Sequence, residues 1–112
     1  MEITTRKSKD ILIVSIKGAF VMQKEGFQVM KMVMKELKEH KNFVVDLGKV
    51  DKIDSAGVGE LVAINVAVKE KGGQLRLANL EDRVGKVLQM ALIHKIIPTF
   101  DTQKEALESF GD

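Results

Sequence analysis

Short apolar runs with strand character alternate with longer amphipathic stretches along nearly the whole chain. No other feature restricts the fold as strongly. Residues 11–17 (Ile-Leu-Ile-Val-Ser-Ile-Lys) form a β-branched run that Gly18 ends. A weaker strand at 2–7 can pair with it as a hairpin across Ser8-Lys9-Asp10. Residues 24–40 read as a helix, with Phe27, Met30, Met34 and Leu37 on one stripe opposite lysines and glutamates. Met32 and Val29 lie off that stripe, and are read as packing under a loop rather than extending a patch. The run 43–47 (Phe-Val-Val-Asp-Leu) is a short buried strand, and 56–71 is a second helix closed by Gly72-Gly73. Residues 74–78 alternate as a strand, and Asn79 is the expected N-cap of a third helix. That helix carries Val84, Val87, Leu88, Ala91 and Leu92 at helical spacing. Ile96-Ile97 is a short candidate strand. Thr102 and Glu105 form a capping box that opens a last helix with Ala106, Leu107 and Phe110. The order is β-β-α-β-α-β-α-(β)-α. It specifies an α/β fold with a mixed sheet of four to five strands and about four helices.

Composition narrows the function classes. At 112 residues the chain is expected to form one domain, 1–112, because two would each have a marginal core. Eighteen Lys+Arg against 16 Asp+Glu leave a net charge of +2, too balanced to suggest a nucleic-acid partner. There is no cysteine, which excludes disulfides, thiol catalysis and cysteine metal sites. The longest apolar runs, Ile11–Val14 and Leu61–Ile64, are far short of the roughly 20 residues of a membrane span. The N-terminal apolar stretch stops at Lys17 with no small-residue cleavage site after it. A soluble cytoplasmic protein without a membrane partner is the expectation.

A catalytic centre is not legible. His40 and His94 lack a partner at i+4 ligand spacing, so both read as solvated surface side chains with no metal. Neither a Gly-x-Ser-x-Gly elbow nor a Walker phosphate loop occurs. Gly57-Val58-Gly59 begins like a dinucleotide fingerprint, but Val62 stands where the third glycine belongs and no strand is expected directly before it. Neither catalytic residues nor a cofactor are expected.

The informative stretch is Lys52-Ile53-Asp54-Ser55-Ala56-Gly57-Val58-Gly59-Glu60-Leu61, a strand-to-helix junction. Asp54 and Ser55 both suit an N-cap, and the glycines permit close helix-to-sheet packing. At about 100° per residue, Gly57, Leu61, Ile64 and Val68 share one face, expected to be the core. Gly59, Val62, Ala63 and Val66 fall on another side, together with Ser55. That second stripe is either covered by a neighbouring helix or is a partner-binding patch with a hydroxyl at its edge. A phosphate on Ser55 would add about −1.5 to −2 charges, which a helix N-terminus tolerates. A partner packed over Val62 and Val66 would have to desolvate that charge. The position suits a binding switch better than catalysis.

These residues resemble the STAS-domain anti-sigma factor antagonists of bacteria. The likeness runs through Val44-Val45-Asp46-Leu47, Asp54-Ser55-Ala56-Gly57-Val58-Gly59, Gly72-Gly73-Gln74-Leu75, Val84 to Leu92, Ile96-Ile97 and Glu105-Ala106-Leu107. The resemblance implies the STAS fold and a non-enzymatic protein, monomeric when free. It implies that the unphosphorylated form binds an anti-sigma factor that is also a serine kinase, freeing the sigma factor. Phosphorylation of the serine matching Ser55 would release that partner, and a serine phosphatase would reset the cycle. Asp54, Ala56, Gly57, Val58 and Gly59 form the motif around the phosphorylation site. Two departures stand out. Ala56 replaces a second hydroxyl residue common in the family, and Gly18-Ala19-Phe20-Val21 stands where an acidic turn is usual. Phe20 and Val21 therefore join Val62, Ala63 and Val66 in the expected partner patch. The alternative is a STAS adaptor that binds a stressosome or transporter component without a phosphorylation switch.

Overall fold

The computed structural model describes residues 1–111; Asp112, the last residue of the expected domain, lies outside the described residues. Its elements are β1 (Glu2–Ser8), β2 (Ile11–Phe20), α1 (Gln28–Glu36), β3 (Asn42–Ile53), α2 (Ser55–Glu70), β4 (Gln74–Ala78), α3 (Asp82–Met90), β5 (Thr99–Phe100) and α4 (Gln103–Glu108). A single 3₁₀ turn, Ile93–Lys95, lies between α3 and β5. The five strands form one sheet in the order β1-β2-β3-β4-β5. β1 runs antiparallel to β2, and every other neighbouring pair is parallel. The mixed sheet expected from the alternating elements is therefore present.

Strand order explains the layering. α1, α2 and α3 each join neighbouring parallel strands. Crossovers of this kind share one hand, so a strand order that never reverses places all three helices on the same face. The main core matches: it joins Leu12, Val14, Ile16 and Phe20 of β2 with Val29 and Val33 of α1, Leu61, Ile64 and Val68 of α2, and Val84 and Leu88 of α3. The alternate side chains, Ile11, Ile13 and Val44, face the other way and meet Ala106, Leu107 and Phe110 at α4. β3 is covered on both faces, which is why Phe43, Val44 and Val45 are buried in succession.

Several boundaries differ from the sequence reading. β2 does not stop at Gly18; it continues to Phe20, with register shifts between Ser15 and Lys17 and between Gly18 and Ala19. Gly18 supports this with φ +102°, a conformation that L side chains rarely adopt. β3 is much longer than 43–47 and runs directly into Asp54, so a strand does precede the glycine motif. Its second half, 48–53, is mostly exposed, and only Val50 there is buried, so hydrophobic pattern alone could not show it.

α1 covers nine residues, not 24–40. Gly26, at φ +84°, sits in a turn closed by its amide donating to the Gln23 carbonyl (3.1 Å). The expected stripe is also rotated. Val29 and Val33 are fully buried, whereas Phe27 and Met34 are 40% and 48% exposed. Met30, Met32 and Leu37 lie half-buried against the core. The branched valines are short enough for close approach of α1, while the long methionines can reach the core obliquely or remain in solvent.

Asn79 is not a helix cap. Its backbone is left-handed (φ +57°), its side chain donates to Asp46 Oδ2 (2.8 Å), and Glu81 occupies the N-cap position. Of the five residues at helical spacing around α3, only Val84 and Leu88 are buried. The helix ends at Met90, and Ala91 and Leu92 are exposed beyond it. The short strand lies at Thr99–Phe100, after Pro98, and not at Ile96-Ile97. There the 3₁₀ turn closes with an α-type bond, the Ile97 amide donating to the Ile93 carbonyl (2.8 Å), and Ile97 enters the core. Thr102 caps α4 as expected, accepting from the Glu105 amide at 3.1 Å.

Candidate functional site

The junction of β3 and α2 is built around one carboxylate. Asp54 is extended and caps α2, its Oδ1 accepting from the Gly57 amide at 2.9 Å. Its Oδ2 accepts from the Met22 amide at 3.1 Å, which ties the segment after β2 to the start of α2. Donation by the Gly57 amide, and then by the Met22 amide, holds the Asp54 carboxyl below its ordinary value of 3.8.

Gly57 has a steric reason. A Cβ there would run into the Phe20 carbonyl oxygen and lie 2.9 Å from Ile53 Cγ1. The first turn of α2 thus rests on the end of β2 with no room for a side chain. Gly59 differs, since a Cβ there would meet nothing within 4 Å. Gly57, Leu61, Ile64 and Val68 are all buried, as the helical wheel indicated.

On the opposite side of α2, Ser55, Gly59 and Val66 are exposed, and Val62 and Ala63 are half-buried. Neighbouring helices leave this face open. Val66 is 52% exposed. Phe20 belongs elsewhere: it is fully buried in the main core and offers no surface to a partner. Alternation along β2 sends its side chain into the main core, so only Val21, half-buried, remains of the pair expected from the replaced turn.

Sequence reasoning missed an adjoining groove. Ile53, Asp54, Ser55, Val58, Val87, Met90 and Ala91 line an open cleft of about 480 Å³ between the start of α2 and the end of α3. Ser55 stands at its rim, and Met90 is 85% exposed. Ala56 is half-buried beside it. The available signal was Met90 itself, an apolar residue off the periodic stripe of α3. Val87 and Ala91 belong to the helical pattern of α3, and spacing alone does not show that they line a groove.

Two other polar features matter. Glu60, only 3% exposed, accepts from the Met30 amide with Oε2 at 2.9 Å. Phe27 offers α1 no side-chain cap, so a carboxylate from α2 serves that end. Burial raises the Glu60 pKa from 4.5, partly countered by donation from the Met30 and Val29 amides. Asp46, under α4, accepts from the Gly48 amide, Asn79 and Gln103 at 2.8, 2.8 and 2.7 Å, which makes it a structural hub. His40 is not a free surface histidine. Its side chain is 11% exposed and its Nε2 lies 3.8 Å from Glu36 Oε1, four residues earlier. With Glu39, these side chains bring three potential ligand atoms within 4.8 Å of one another. His94 is exposed in the 3₁₀ turn. No helix among the described residues is long and apolar enough to cross a membrane.

The five-stranded sheet with three helices on one face, and the Asp-Ser-Ala-Gly-Val-Gly junction, define a family as well as a fold. Residues 2–106 match the STAS domain, and the chain belongs to the STAS-domain family. The relatives it resembles carry a more specific name. It is 24% identical over 110 residues to the anti-sigma F factor antagonist of Paenibacillus polymyxa, covering 96% of this chain and 92% of that one. The Thermotoga maritima protein TM1081 superposes with a TM-score of 0.85 at 25% identity, over 96% of this chain and 92% of that one. The antagonist SpoIIAA superposes with a TM-score of 0.71 in its unphosphorylated form, at 13% identity and 97% of each chain. In its phosphorylated form the TM-score is 0.72, at 14% identity, over 97% of this chain and 99% of that one.

Proposed function

We propose that this chain is an anti-sigma factor antagonist controlled at Ser55. Its unphosphorylated form binds an anti-sigma factor serine kinase and frees the sigma factor held there. Phosphorylation of Ser55 dissociates the pair, and a serine phosphatase restores the binding form. The protein acts as a binding module in the cytoplasm; the nucleotide belongs to the kinase.

One observation carries this reading. Ser55 is exposed at the first position of α2, between the groove holding Val58, Val87 and Met90 and the open face of Gly59, Val62 and Val66. A phosphate there would meet the N-terminal end of α2, so the fold can keep it. The near-equal superposition on the phosphorylated and unphosphorylated forms of SpoIIAA fits a charge that leaves this fold in place. A partner seated on the apolar surface would instead bury the phosphate or oppose it with its own acidic groups. A penalty of about 2 kcal/mol weakens binding roughly thirtyfold.

The test uses wild type, Ser55→Ala and Ser55→Asp as baits against the cognate anti-sigma factor, with phosphate on Ser55 followed by mass spectrometry after ATP is added. Wild type and Ser55→Ala retain the kinase, Ser55→Asp loses it, and ATP releases wild type alone. Equal retention of a partner by all three baits refutes the switch and assigns the chain as a constitutive STAS adaptor.

A further inference from the structure

We propose that the segment joining β2 to α1, residues 21–27, is coupled through Asp54 to the phosphorylation state of Ser55. The inference rests on the reading of Ser55 as the phosphorylation site. Two carboxylates of the β3–α2 unit flank this segment, one at its start and one in the first turn of α1 that follows it. Asp54 accepts from the Met22 amide at 3.1 Å, and Glu60 accepts from the Met30 amide at 2.9 Å.

The two anchors differ in kind. Glu60 is 3% exposed, packed between α1 and α2, and out of reach of a surface modification. Asp54 is next to Ser55 in the chain, and its two oxygens are shared between the Gly57 and Met22 amides. A phosphate on Ser55 stands in the first turn of α2, where the amide donors of that turn converge. It carries about −1.5 to −2 charges against the single charge of Asp54, and is the stronger acceptor for those donors. It also repels the Asp54 carboxylate at close range. Asp54 bridges the two amides in one orientation only, so a carboxylate turned away by the phosphate gives up the longer bond, the one to the Met22 amide.

The consequence is directional. The end of the segment at Val21–Met22 is released, while α1 stays in place under Glu60. Met22 is 76% exposed and Phe27 is 40% exposed, so the segment displays apolar side chains, with Met22 bonded to the residue before Ser55. A partner then meets both a new charge and an altered apolar surface.

Solvent exchange of the Met22 and Met30 amides, measured by NMR on the isolated chain, tests this. The samples are wild type, the same chain with phosphoserine installed at 55 during translation, and Asp54→Asn with and without that phosphoserine. Phosphorylation should speed Met22 exchange about three- to tenfold, the effect of one lost hydrogen bond, and leave Met30 unchanged. Asn caps helices as well as Asp, so Asp54→Asn folds, but its Nδ2 is a donor and takes the place of one of the two oxygens that the Gly57 and Met22 amides use. In that variant Met22 exchanges fast from the start, and phosphate adds nothing. Unchanged Met22 exchange on phosphorylation overturns the coupling, as does an effect of phosphate that survives in Asp54→Asn. Release of the kinase with an unmoved Met22 removes only the coupling. A mobile Met22 with no phosphate effect on kinase binding removes only the switch.

Discussion

Gly57→Ala and Gly59→Ala are the same substitution two residues apart in one helix, and they should have opposite effects on stability. Both glycines lie inside α2, and neither has the positive φ that would favour glycine. Exchange to alanine in a helix interior is worth about 0.5–1 kcal/mol from reduced backbone entropy in the unfolded chain. At Gly59 nothing offsets this gain, because a Cβ would find no atom within 4 Å. Gly59→Ala should raise the melting temperature by about 2–4 °C for a chain of this size. At Gly57 the added carbon collides with the Phe20 carbonyl oxygen and comes within 2.9 Å of Ile53 Cγ1. Backbone has to move, and overpacking of this kind costs about 1–3 kcal/mol. After subtracting the propensity gain, Gly57→Ala should be destabilised by up to about 2.5 kcal/mol. Calorimetry and urea denaturation of the three proteins measure both signs. A Gly57→Ala protein at least as stable as wild type would refute the argument from close approach to β2. A destabilised Gly59→Ala would refute the argument from open space. Gly59 also shares the open face with Ser55, so under the proposed function its alanine variant should bind the partner less tightly while folding more stably.

Three further outcomes are expected. Burial raises the Glu60 pKa, so its stabilising protonated form is complete below 4.5 and lost as pH rises through the folded value; Glu60→Gln should therefore exceed wild type in stability at neutral pH and converge with it in acid, read as denaturation midpoints across that range. The lowered Asp54 pKa has the opposite sign, with stability present above 3.8 and lost as pH falls through the folded value, so the acid limb of the unfolding profile should flatten in Asp54→Ala. Met90 is 85% exposed, so Met90→Ser should stay within about 0.5 kcal/mol of wild-type stability yet, under the proposed function, weaken partner binding measured by calorimetric titration.

The core face of α2 was readable because Gly57, Leu61, Ile64 and Val68 follow the helical period on a helix long enough to express it. The Thr102–Glu105 cap was readable because it is local. α1 was misjudged because its stripe of Phe27, Met30 and Met34 is as periodic as the valines that face the sheet, and periodicity cannot say which of two apolar faces is inward. Asn79 was misread for a related reason. Its partner is Asp46, 33 residues away, and a side chain suited to capping a helix is equally suited to bonding a distant carboxylate. The Ser55 rim was half legible: the helix supplied Gly59, Val62 and Val66, but Val87, Met90 and Ala91 arrive from α3 only when the sheet sets the two helices side by side.

By itself the sequence determined the order of strands and helices, the mixed sheet, the inward face of α2, and the motif that places a serine at a helix start. These depend on residue types within one or two turns of each other. Tertiary structure alone decided that Phe20 is core rather than surface, that Glu60 caps a helix it does not belong to, and that Asp54 holds Met22 as well as Gly57. Each of those depends on groups far apart in the chain, and their meeting is set by how the helices lie across the sheet. Local propensity carries no information about that distance.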